Sequence, residues 1–82
     1  MLFYGGPSDM VIVSFDSETH AYHDWMTSNN HFSFICNHNM GHTVPADGRD
    51  SAWQFLQDHP FGARPEAYAK GLPAGFPSYC SL

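Results

Sequence analysis

The sequence predicts an α/β fold with the order strand, loop, helix, strand, loop, helix and irregular tail. Three observations carry that reading. The apolar run "MLFY" stops at the turn-forming "GGPSD". Phe15, Thr19, Tyr22 and Met26 then recur at spacings of three and four, the signature of one helix face. Finally, "HFSFICNH" alternates Phe32, Phe34 and Cys36 against Ser33, Ile35 and Asn37, the period of two that marks a strand partly covered on both faces. Two strands joined through a helix make a βαβ unit, whose parallel sheet normally needs more than two strands and cover on both faces. The expectation is therefore an incomplete sheet, and a chain that opens inside a strand suggests that the numbering begins partway through a larger fold.

Each element has a local reason. "MVIVSF", after Asp9, is β-branched and short, either a second strand or an apolar loop. Ser14 or Ser17 can cap a helix from Phe15 to about Thr27, with Asp16 and Glu18 favourably placed in its first turn, and "SNN" ends it. After the second main strand, Asp47 is a plausible N-cap with Asp50 three residues on. Ala52, Trp53, Phe55 and Leu56 then form the apolar stripe of a short helix that stops before Pro60. Residues 1–59 thus form the body, and residues 60–82 a proline- and glycine-rich tail with one helical turn at Pro65 to Lys70. Phe32, Phe34, Trp53 and Phe55 read as core, and Phe61, Tyr68, Phe76 and Tyr79 as anchors of the tail.

Composition bounds what the chain can bind. Three basic residues stand against eight acidic ones, a formal charge of −5, so a phosphate backbone or an anionic membrane surface would be repelled. No apolar run approaches the roughly 20 residues of a membrane span, and the first ten residues lack the pattern of a signal peptide. Hydrophobic residues make up 43% of the chain and aromatics 16%, enough for a core. A domain this small buries only about 60–65% of its unfolded surface, so added constraints matter. Cys36 and Cys80 could supply one as a disulfide pinning the tail, or could both be buried thiols.

The chemistry-bearing residues follow from strand order. Active sites of open α/β sheets form outside the carboxyl ends of the strands, and Asp9 and His42 each sit just past a predicted strand. If those strands are parallel neighbours, their loops lie side by side. A buried carboxylate accepting from one imidazole nitrogen would then fix the tautomer and leave the other nitrogen as a general base. Gly5, Gly6 and Gly41 give both loops the freedom to turn tightly.

Several stretches also resemble known sequences. "YGGPSDMVIV" resembles the acid-bearing segment after the penultimate core strand of α/β-hydrolases, with Asp9 at the catalytic acid's position. "NHNMGHTVP" is similar to the last-strand loop of the same fold, with His42 matching the catalytic histidine. "AWQFLQDHPFG" resembles the C-terminal helix of polyhydroxybutyrate-depolymerase-like and feruloyl-esterase-like members, and "LPAGFPSYCSL" the ends of bacterial secreted members. The resemblance implies the C-terminal βαβα portion of an α/β-hydrolase, the acid–histidine segment of a serine ester hydrolase. It implies an ester or polyester substrate, no cofactor, and a secreted or periplasmic location. The fold's order is nucleophile, then acid, then histidine, yet none of the eight serines lies in a G-x-S-x-G motif and no glycine-rich oxyanion loop occurs. The nucleophile would belong to a missing N-terminal hydrolase segment, and the chain alone would be inactive.

Six histidines raise a second hypothesis, a non-catalytic histidine-rich module that binds a metal or a partner chain. His20, His23 and Asp24 on the first helix, or Cys36, His38 and His42 around the last strand, are the donor sets it would use.

Overall fold

A computed structural model describes all residues from Met1 to Leu82. Its elements run β1 (Leu2–Tyr4), β2 (Met10–Val11), β3 (Val13–Ser14), α1 (Phe15–Ser28), β4 (Ile35–Asn37), α2 (Gly48–Asp58) and β5 (Cys80–Ser81). β1 and β4 pair in parallel, Leu2 opposite Ile35 and Tyr4 opposite Asn37, so the expected βαβ unit is present. The sequence reading missed its third strand: β5 pairs antiparallel to β4 on the side away from β1, giving the order β1-β4-β5.

The two helices take opposite faces of this small mixed sheet. Side chains alternate along a strand, and Tyr4, on one face, meets His20 of α1 with ring centroids 5.3 Å apart. Phe3 faces the other way, where an added Cβ on Gly48 of α2 would lie 3.0 Å from its ring. Phe34 and Cys36 share Phe3's face and are fully buried, with Tyr68 of the tail completing the core. Phe55 of α2, Leu72, Phe76 and Tyr79 close around them. The core is thus strand, one helix and tail; none of the α1 residues is fully buried.

The local differences from the sequence reading have physical causes. "MVIVSF" is neither one strand nor a loop but a tight antiparallel ribbon, β2 and β3, reversed at Ile12 with φ 67°. Ser14, not Ser17, caps α1: its hydroxyl accepts from the Ser17 amide at 3.3 Å. On α1 the inward position falls to His23 rather than Tyr22, because His23 pairs with the buried Ser33 hydroxyl at 2.7 Å while Tyr22 stacks on Trp25 at the surface. Asp47 sits at the N-cap position of α2 in helical conformation and makes no cap bond. Its carboxylate accepts the Tyr79 hydroxyl instead, at 2.8 Å. Only Phe55 and Ala52 of the α2 stripe turn inward; Trp53 and Leu56 are exposed, contrary to the expected core role of Trp53. Phe61 is fully exposed and anchors nothing, and Pro65 to Lys70 forms turns rather than a helical turn.

The tail is tied down by polar bonds as well as aromatics. His59 donates Nδ1–H to the Phe55 carbonyl at 2.7 Å, and its Nε2 meets the Glu66 carboxylate, which also accepts the Tyr68 amide. The Tyr68 hydroxyl donates to Asp58 at 2.7 Å. Covalent closure comes from a disulfide between Cys36 and Cys80, across the β4–β5 pair and 44 residues apart in sequence. Cross-linking a loop of that length removes conformational freedom from the unfolded chain amounting to about 4 kcal/mol. Reduction with a dithiol, or Cys80→Ser, is expected to lower stability by about 2–5 kcal/mol. Urea unfolding followed by tryptophan fluorescence, with and without reductant, measures it; coincident curves would mean that the cross-link contributes nothing to stability.

Candidate functional site

The carboxyl ends of β1 and β4 lie side by side, so the loops that leave them meet. The first loop, Gly5 to Asp9, curls back on itself: the Gly5 amide donates to Asp9 Oδ2 at 2.7 Å and the Asp9 amide to the Gly6 carbonyl at 3.0 Å. Because these bonds are local, the carboxylate is held where it can be buried, and Asp9 is only 5% exposed. The second loop runs from His38 to Pro45, and its Gly41 amide donates to the Gly5 carbonyl at 2.9 Å. The contact leaves no room for a side chain: a Cβ on Gly5 would lie 1.9 Å from the Gly41 oxygen. Gly41 itself turns with φ 74°, in the left-handed region that glycine occupies without penalty.

That turn brings His42 over Asp9. The imidazole Nδ1 lies 2.9 Å from Asp9 Oδ1. A carboxylate only accepts, so Nδ1–H is the donor. Phe15, the first residue of α1, stacks against the imidazole with centroids 4.9 Å apart and planes 28° from parallel, fixing the ring's tilt. The His42 side chain is 60% exposed, and its Nε2 has no partner in the chain. Burial pushes the Asp9 carboxyl up, but the Gly5 amide and the His42 imidazole oppose it, with a smaller charge contribution from His38, and the carboxyl ends below its usual range.

Both sequence-predicted site residues, Asp9 and His42, are therefore brought together, with the geometry expected of an orienting acid and its histidine. They border a cleft of about 390 Å³ lined by Phe3, Tyr4, Phe15, His38, Thr43 and Val44 besides the pair. A larger groove of about 800 Å³ lies at the other end of β4, around Phe32, Ser33, His59 and Arg64, away from the acid and the histidine. The larger groove also holds titratable groups, but its His59 has both ring nitrogens engaged, by the Phe55 carbonyl and the Glu66 carboxylate, whereas His42 keeps Nε2 free beside its acid; chemistry rather than volume selects the smaller cleft.

The donor sets of the histidine-module hypothesis do not converge. Cys36 is in the disulfide and has no thiolate to offer, and His20 turns to Asp16 while His23 turns to Ser33. No three His, Cys, Asp or Glu side chains come together as a metal would require. Of this lining the sequence reading assigned only Asp9 and His42 to the site; His38 and Phe15 are among the members it gave no role there. The alternation of strand residues could have found His38, one residue beyond β4 on the same face as Phe34 and Cys36.

No known protein family, curated protein or solved structure matches this chain.

Two measurements follow. Gly5→Ala should force the two loops apart, lowering stability by about 1–3 kcal/mol and removing the signal of the His42 Nδ1–H hydrogen-bonded to Asp9 from the proton spectrum; a variant that keeps that signal would refute the close contact. The second concerns acid. A carboxyl whose folded pKa lies below its ordinary value of 3.8 binds its proton later than the unfolded chain does as pH falls. Its stabilising contribution is complete above that value and is lost as pH falls through the folded pKa. The difference in thermal midpoint between the wild type and Asp9→Asn should be constant above about pH 5 and shrink below about pH 4. A gap that widens on acidification would reverse the assignment.

Proposed function

We propose that this chain is the acid–histidine segment of a serine carboxylic-ester hydrolase. One observation carries the proposal: Asp9, buried and held by the Gly5 amide, accepts Nδ1–H of His42 and leaves His42 Nε2 unpartnered at a cleft. In that state Nε2 is an acceptor. It would take the proton from a serine hydroxyl as the oxygen attacks an ester carbonyl, and return it to the departing alcohol. Asp9 would hold the ring in this tautomer and stabilise the imidazolium while the proton is on it.

The serine is to be sought outside residues 1–82, because no serine of the chain hydrogen-bonds His42 Nε2 and none lies in a G-x-S-x-G turn. Two features support a further segment docking here. Leu2 donates its amide to Phe34 and Tyr4 accepts from His38, so in a parallel pair the Phe3 amide and carbonyl point to the opposite edge, where β1 has no neighbour. Close to that end of the sheet, Met10, Val11, Ile12 and Val13 are exposed on the β2–β3 ribbon. Polyhydroxyalkanoate-type polyesters or small carboxylic esters as substrates rest on the family resemblance alone.

The test uses the reading frame extended upstream until a strand-turn-helix segment with G-x-S-x-G is included. Residues 1–82 alone should show no hydrolysis of p-nitrophenyl butyrate above background, whereas the extended protein should turn it over. There His42→Ala should lower kcat by about 10⁴- to 10⁶-fold and Asp9→Asn by about 10⁴-fold. On residues 1–82, ¹⁵N correlation spectra should place the neutral His42 proton on Nδ1, and Asp9→Ala should shift it to Nε2. Turnover that survives His42→Ala, or a neutral His42 already protonated on Nε2, would sink the proposal.

A further inference from the structure

His38 is the second histidine of the cleft, and its proton is placed by a different rule. The Met40 amide donates to His38 Nδ1 at 3.2 Å. A nitrogen that accepts from a backbone N–H carries no proton of its own, so neutral His38 has its proton on Nε2. The ring is further fixed by Tyr79, packed edge-on at 6.3 Å and 75°, whose hydroxyl is anchored on Asp47. Burial and the Asp47 carboxylate push the Tyr79 hydroxyl up to about 12, so it remains a donor.

His38 is only 8% exposed, and its Nε2 bonds to nothing in the chain. Every fully buried side-chain nitrogen and oxygen of the molecule has a partner, so Nε2 belongs to the small part of His38 that solvent reaches. His38 lines the cleft together with His42, Phe3, Phe15 and Val44. A nearly buried donor with a fixed proton and no acceptor in the chain is free to bond an oxygen that enters the cleft, whether water or ligand.

We propose that His38 is a substrate-binding residue of this cleft, donating Nε2–H to a neutral acceptor oxygen of an ester whose apolar part lies among Phe3, Phe15 and Val44. A neutral oxygen is favoured because Asp9 already places a negative charge beside the cleft, which a carboxylate ligand would have to approach. The inference rests on the hydrolase reading and extends it to the ester's orientation: one imidazole accepts a proton and the other donates a hydrogen bond to the same substrate.

The experiment is an NMR titration of residues 1–82 with methyl butyrate, following the ring signals of His38 and His42. The ester should shift both rings with one common Kd. His38→Met, similar in length but without a donor, should weaken that Kd by about fivefold, and His38→Gln, which restores an N–H, should recover most of it. Thermal midpoints of both variants verify that they fold; should His38→Met not fold, wild type against His38→Gln and the His38 ¹⁵N shifts decide. The proposal is overturned if the ester leaves the His38 ring unmoved, if His38→Met binds as the wild type does, or if neutral His38 is protonated on Nδ1. Failure here with His42 still protonated on Nδ1 would remove only the role of His38. Loss of the His42 tautomer would remove the hydrolase reading itself.

Discussion

The peptide unit of Gly5 is the constraint on which the site depends. Its amide holds Asp9 and its carbonyl holds Gly41, so one residue fixes the acid within its own loop and couples that loop to the one carrying His42. Neither interaction alone would suffice. Without the amide bond a carboxylate as buried as Asp9 would have lost its hydration for a single partner, the imidazole, and burial of a charge is unfavourable unless its oxygens are satisfied. Without the bond to Gly41, the His42 loop would be positioned only by its covalent ends. The parallel register of β1 and β4 sets this up, because only parallel neighbours send two successive loops out of the same end of the sheet.

The rest of the molecule keeps β4 in place beside β1. A chain of 82 residues with three short sheet strands cannot rely on a large apolar interior, and its fully buried side chains are few. The tail supplies part of the cover that such an interior would otherwise give. It adds β5 to the free edge of β4, joins the two by the Cys36–Cys80 disulfide, and inserts Tyr68 beneath Phe34. Tyr79 links that clamp to the site, its carbonyl accepting the Asn37 amide, its ring against His38 and its hydroxyl on Asp47. The histidine loop begins at His38 and α2 begins just past Asp47, so the tail braces the loop at both ends.

Much of this was legible in the sequence, and what was not has a common cause. The parallel strand pair, α1 from Phe15 and the meeting of Asp9 with His42 follow from local patterns: apolar runs, helical spacing and turn residues placed after strands. The α/β class is present, while the assignment to the hydrolase fold rests on resemblance. What escaped depends on contacts distant in the chain. β5 forms because a disulfide carries residue 80 to residue 36, a pairing that two cysteines permit but do not dictate. His23 displaces Tyr22 from the inner side of α1 because Ser33 offers a buried hydroxyl, and hydrophobic spacing contains no information about such a partner. Trp53 read as core and Leu56 as part of the helix's apolar stripe because they are apolar, yet α2 has only one neighbour to pack on, and a helix on a two-sided layer covers one stripe and leaves the other to solvent.

The two histidines of the cleft show why composition alone misleads about chemistry. His38 and His42 are four residues apart in one polar loop, a spacing that invites a metal. Their Nδ1 atoms are engaged in opposite senses: His42 donates to a carboxylate, and His38 accepts from an amide. Neutral His42 therefore offers a lone pair at Nε2 and neutral His38 offers a proton there. A metal would need a lone pair from both, and His38 could supply one at Nε2 only by changing tautomer and giving up the Met40 amide. On the proposed reading, an ester undergoing attack needs a base for the incoming hydroxyl and benefits from a donor toward one of its oxygens, roles that these two tautomers would fill. Two hydrogen bonds donated by the backbone, Gly5 to Asp9 and Met40 to His38, set these tautomers, so the local fold, more than the number of histidines, fixes what each ring can do.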